Sequence, residues 1–137
     1  MKPRLNISRQ LRAIHQLPAV NRGGCAYVAL ALHAHVAKHY PHLVPQILYL
    51  MDDDDLYDYR NGEVTTCHHA VIRIGSRYYD SEGGKTLSDM LRAGGCTTSA
   101  IPVSPEFVQQ SLQLEHYWNP EFDRSNVHRI YSALERK

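Results

Sequence analysis

Cysteine is scarce in this chain, and its scarcity settles a first question. Cys25, Cys67 and Cys96 are the only three, an odd number with no C-x-x-C spacing among them. A disulfide scaffold is disfavoured, and free thiols in a reducing compartment are expected instead. A surplus of charge is missing too. Fifteen Lys and Arg against fourteen Asp and Glu leave a formal charge of +1, which offers no electrostatic footprint for nucleic acid or an anionic membrane. No apolar run reaches the roughly 20 residues that cross a bilayer. The opening MKPRLNISRQLRAIHQLP has no apolar core of signal-peptide length. These absences predict a cytoplasmic protein, a description that also fits a phage or secreted effector acting in a host cytoplasm. Repeats, low-complexity tracts and interdomain linkers are lacking as well, so 137 residues are expected to form one domain, 1–137, around one core.

What the chain does have is histidine. Nine of them make the molecule increasingly cationic below about pH 6.5. The element pattern reads as α+β: leading helices, then a small antiparallel sheet, then more helices. A first helix is expected over about 7–16, capped by Asn6 and ended by Pro18. Residues 25–40 are apolar on nearly every side until His33, the mark of a central, buried helix that Pro41 stops. QILYLMD (46–52) reads as a strand, and DDDDLYDYRNGE (52–63) as a polar loop turning at Asn61-Gly62. TTCHHAVIRIG and SRYYDS form two strands around Gly75-Ser76. Gly83-Gly84 opens a loop, and TLSDMLRAGG closes a short helix on its own glycines. Ser104-Pro105 starts another helix through about Leu114. SNVHRIYSALERK reads as a final amphipathic helix with Val127, Ile130, Tyr131 and Leu134 on one face.

The stretch NRGGCAYVALALHAHV (21–36) sets Cys25 directly after two glycines and at the mouth of the central helix. A thiolate, not a thiol, attacks a carbonyl, so a nucleophilic cysteine needs a lowered pKa. The positive end of a helix favours negative charge by about 0.3–1 kcal/mol, and a nearby imidazole can take the proton outright. Gly24 leaves the backbone open to a substrate carbonyl, whose oxyanion the first-turn N–H groups would meet. His69 opens an alternating segment, and alternation turns His68 to the opposite face, so one of the two can meet Cys25. If the hairpin closes at Gly75-Ser76, paired residues sum to about 151. Asp80 then falls nearly opposite Val71, close to the His69 end, where a carboxylate can fix the imidazole tautomer.

GGCA at a helix start, then HHAVIRIG, then RYYDSEG together resemble the papain-like cysteine peptidases and their transglutaminase-like relatives. In that group the order is Cys on a central helix, His on the next strand and Asp or Asn on the one after. The resemblance spans roughly 21–83 and implies a papain-like core with Cys25 as nucleophile, His69 as base and acid, and Asp80 as orienting residue. Papain-type enzymes also carry a glutamine about six residues before the cysteine. Here Ala19 stands there, and Asn21 is favoured over Gln16 as the substitute amide at the oxyanion. Gly24 and His68 complete the expected oxyanion and substrate contacts.

Other constellations compete. His35, His39 and His42 have spacing suited to zinc, with Asp52 to Asp55 or Cys67 and His68 as further ligands, but lack the glutamate of a metalloprotease helix. Cys67 reads as a core or pocket-lining residue and Cys96 as structural. Four consecutive aspartates do not supply the ligand order of a calcium loop, although they would form an acidic rim for a basic substrate segment. The expected function is a cysteine-dependent peptidase or isopeptidase acting on a protein or peptide, without cofactor or metal. A transglutaminase or glutamine deamidase would use the same triad. A binding or inhibitor protein on this scaffold is the reading from another class.

Overall fold

The computed structural model describes residues 2–65, 67, 69–93, 99–114 and 121–136. Its element order is α1 (Ser8–His15), α2 (Cys25–His39), β1 (Gln46–Met51), α3 (Asp53–Arg60), β2 (His69–Ile74), β3 (Arg77–Asp80), β4 (Gly83–Lys85), α4 (Leu87–Ala93), β5 (Ser99–Val103), α5 (Pro105–Ser111) and α6 (Val127–Glu135). The strands form one antiparallel sheet in the order β4-β3-β2-β1-β5. The fold class is α+β, and no helix among the described residues is long and apolar enough to cross a membrane.

Alternation along the strands gives the sheet two apolar faces. Ile47, Tyr49, Met51 and Ala70 pack against Ala26 and Ala29 of α2 and Val108 of α5. Ile72 and Ile74 continue that face under Val28, Leu32 and Val36, where α1 and α6 add Leu11, Ile14, Ile130 and Leu134. Each such side chain stabilises the fold by about 1.5–3 kcal/mol when fully buried. The alanines of α2 let its backbone approach the sheet closely, which matters because α2 carries Cys25 at its first position. On the opposite face Leu48, Leu50 and Val71 pack against Met90 of α4.

Several elements differ from the sequence expectation. The aspartate run is the start of a helix rather than a loop. Asp52 is the N-cap, its Oδ1 accepting from the Asp55 N–H at 2.8 Å. Asp53, Asp54 and Asp55 fill the first turn, where the helix dipole favours carboxylates. Asn61-Gly62 ends that helix, with Gly62 at φ +81°, instead of turning a hairpin. Asn6 does not cap α1; Ile7 occupies the cap position and no side chain bonds there. Gly83 and Gly84 belong to β4 rather than a loop, and β5 is an additional strand held by β1. In α6, Tyr131 is exposed and Ala133 takes the buried position beside Leu134. The glycines closing α4 and Cys96 lie outside the described residues.

Candidate active site

The β2–β3 hairpin has the expected register: Ile72 pairs with Tyr79, Arg73 with Tyr78 and Ile74 with Arg77. The next step along β3 sets Asp80 beside Val71, two residues from His69 along β2. Asp80 is also the closing pair of the next hairpin, opposite Gly83 across a turn made by Ser81 and Glu82 alone. Gly83, at φ +111°, supplies the left-handed residue that follows a turn whose two central residues do not have positive φ.

These placements bring three side chains into line. The His69 Nε2–H donates to Asp80 Oδ2 at 2.9 Å, which leaves Nδ1 as the ring nitrogen for the thiol. Cys25 is hydrogen-bonded to the imidazole. Asp80 Oδ1 accepts from the Glu82 N–H at 2.8 Å, so both carboxylate oxygens are engaged. Cys25 and Asp80 are 6% and 5% exposed, and the His69 side chain 13%. Ionisable groups this dry respond to each other's charges and dipoles more than to bulk water.

The electrostatics follow from these contacts. Burial opposes ionisation of the Cys25 thiol, yet the His69 hydrogen bond and charge, with the N–H groups of Ala70 and Ala26, bring it below its ordinary value. Burial likewise opposes a charged His69, but the hydrogen bonds to Asp80 and Cys25 raise it to about 10. Asp80 is held below the usual carboxylate range despite burial, by the His69 hydrogen bond and charge, the Glu82 N–H and Lys85. All three shifts favour the same state: thiolate, imidazolium and carboxylate.

Gly24 is the N-cap of α2. A Cβ there would stand 2.5 Å from the Val20 carbonyl oxygen and 2.9 Å from the Phe122 ring, so glycine is required by close approach on the protein side. Asn21 sits in the turn before it, and its Oδ1 is buried with no hydrogen-bond partner among the described residues. Gln16 lies elsewhere, in a cleft shared with Arg12, His15, Ser81, Glu82 and Lys85. His68 lies outside the described residues.

Cys67 precedes β2 instead of continuing its alternation, and packs against the cluster that holds Cys25, Ala26 and Tyr49. Burial, Cys25 and Asp55 push its thiol well above the ordinary value. Two neighbouring cysteines are thus driven in opposite directions, one towards the reactive thiolate and the other away from it. Tyr49 seals the floor, its hydroxyl in a short hydrogen bond with Ser111 and its ring edge-on to Phe107. The histidine constellation does not close. The rings of His35 and His39 are 4.7 Å apart, but His42 turns away to the Pro3 carbonyl at 3.0 Å. No group of three or more His, Cys, Asp or Glu among the described residues is placed to hold a metal ion.

One contact carried no local signal in the sequence. His15, the last residue of α1, meets the Ser81 hydroxyl through Nδ1 at 2.9 Å, across 66 residues of chain. Comparison of the chain with known protein families, curated proteins and solved structures returned no match.

Proposed function

We propose that this chain is a small papain-like cysteine hydrolase that cleaves an amide bond in a protein or peptide through a thioester. The observation that carries the reading is the unbroken line from the Cys25 thiol through the His69 imidazole to the Asp80 carboxylate. The Cys25 thiolate adds to the substrate carbonyl, whose oxygen takes the negative charge beside the N-terminus of α2 and the Asn21 amide. As the tetrahedral intermediate collapses, the C–N bond breaks and the His69 imidazolium gives its proton to the leaving amine. Water, deprotonated by the now neutral His69, attacks the thioester. The carboxylic acid leaves, and the proton returns to restore the Cys25–His69 pair. Asp80 keeps the ring oriented and stabilises its charged form throughout. An amine in place of water would make the same machinery a transglutaminase, and a glutamine side chain as substrate would make it a deamidase.

Iodoacetamide alkylation of each cysteine, followed by mass spectrometry from about pH 4 to 9, tests the ion pair. Fast labelling of Cys25 well below about pH 8.5, abolished in His69→Ala, is expected, with Cys67 slow in both proteins. Slow labelling of Cys25 that ignores the mutation would leave a packed cysteine in a helix and remove the enzyme reading. Given a reactive Cys25, turnover of a fluorogenic peptide library, lost in Cys25→Ala, identifies the amide cleaved.

A further inference from the structure

We propose that His15 is a positioning residue for the site: by holding Ser81 it fixes the two-residue turn that presents Asp80 to His69. The proposal rests on the reading of Cys25, His69 and Asp80 as one catalytic unit and adds to it a group from α1.

Asp80 stands at an exposed kind of place in a sheet. It is the last residue of β3, paired to Gly83 of a three-residue edge strand. Short hairpin ends of this kind fray unless tied down. The turn between them consists of Ser81 and Glu82, and both residues are tied down. Glu82 donates its N–H to Asp80 Oδ1 at 2.8 Å, and its carboxylate accepts from Lys85 Nζ at 2.7 Å; both ties lie within the hairpin, so they move with it. Ser81 is 2% exposed, and its hydroxyl meets His15 Nδ1 at 2.9 Å. This contact joins the turn to a separate element. It fastens the hairpin to α1, which is itself locked into the core by Leu11 and Ile14. Without His15 a buried hydroxyl loses its partner, and the turn must shift to recover one. Asp80 Oδ2 shifts with it, and the 2.9 Å bond that holds the imidazole lengthens.

His15 borders a cleft of about 360 Å³ with Arg12, Gln16, Ser81, Glu82 and Lys85. The charged neighbours Arg12, Glu82 and Lys85 are untouched by neutral replacements at position 15, which makes the contact separable from the charge.

The experiment compares wild type with His15→Ala, His15→Asn and His15→Gln, reading the pH of half-maximal Cys25 alkylation alongside Tm. Asparagine sets an amide atom where Nδ1 stands, whereas the longer glutamine reaches towards the position of Nε2. The alanine variant is expected to move the alkylation midpoint up by about one pH unit, about tenfold less thiolate at a fixed pH below it. Asparagine restores the wild-type midpoint and glutamine does not. Ser81→Ala, a smaller deletion, should reproduce the alanine effect, and the Ser81→Ala/His15→Ala double variant should add nothing further. If wild-type Cys25 shows no low-pH reactivity, the catalytic reading itself falls. If wild type is reactive and all the position-15 variants share its midpoint, His15 is structural only and this proposal is overturned. A lowered Tm with an unmoved midpoint has the same meaning.

Discussion

Asp80 and His69 contribute stability in opposite pH regimes, and the overlap defines where their pair is worth most. Asp80 has a folded value below its ordinary 3.8, so its contribution is present above about pH 4 and fades as pH falls through the folded value. His69 is raised from 6.5 to about 10, so its contribution is complete below about pH 6.5 and is lost as pH climbs towards 10. The stability difference between wild type and Asp80→Asn should therefore be largest from about pH 4 to 6.5 and shrink on either side. Urea unfolding across that range measures it, and a difference that grew steadily towards pH 9 would contradict the assignment. Asp80→Asn should also slow Cys25 alkylation at neutral pH by tenfold or more. The reason is that a neutral amide no longer stabilises the imidazolium.

At the level of single elements, the N-terminus of α2 is tightly constrained. Gly24→Ala would drive a Cβ into the Val20 carbonyl and the Phe122 ring. Overpacking of this kind costs about 1–3 kcal/mol, and an unfolding free energy reduced by that amount in urea, with slower Cys25 labelling because the helix start has moved, is the expected result. Asp52→Ala removes the side-chain cap of α3 at a cost of about 0.5–2 kcal/mol, measurable by chemical denaturation and without effect on the Cys25–His69 pair. The hairpin of β2 and β3 is legible in the sequence because Gly75-Ser76 fixes its register and leaves no freedom to slip. The α3 helix is not, because aspartate is a poor helix former inside a helix and a good one at its start. Neither is β5, whose SAIPV has little strand propensity of its own and is ordered by pairing with β1. For the candidate site, Cys25 is read from its helix position and Asp80 from hairpin arithmetic, whereas alternation allows either His68 or His69 and only the resemblance to papain-like peptidases singles out His69. The His15–Ser81 bond joins residues 66 apart, and no local pattern encodes a contact of that range. The sheet edges are managed by single residues. Arg77 donates to the Gly84 carbonyl at 2.7 Å on β4, and Pro102 sits within β5.

Across the whole molecule, two histidines outside the candidate site, His33 and His35, add to the response to acid. Burial lowers His33, with Glu106 opposing, and also His35, where His39 and Lys38 add to the effect. A histidine held neutral in the fold contributes stability above its ordinary 6.5 and withdraws it as pH falls through that value. His35 shares its cleft with Lys38 and His39 of α2 and with Tyr131, Leu134 and Glu135 of α6. His35→Gln should therefore flatten the decline in Tm between about pH 6.5 and 5, because a neutral amide has no proton to gain. A decline as steep as that of wild type would assign the acid sensitivity to other histidines. The adjacency of Cys25 and Cys67 has a consequence of another kind. Their opposite shifts exist only while α2, β2 and the Asp80 turn are assembled, and in an unfolded chain both thiols return to about 8.5. The ratio of label on Cys25 to label on Cys67 thus reads out, without substrate or spectroscopic probe, what fraction of the chains in a sample has reached the native arrangement.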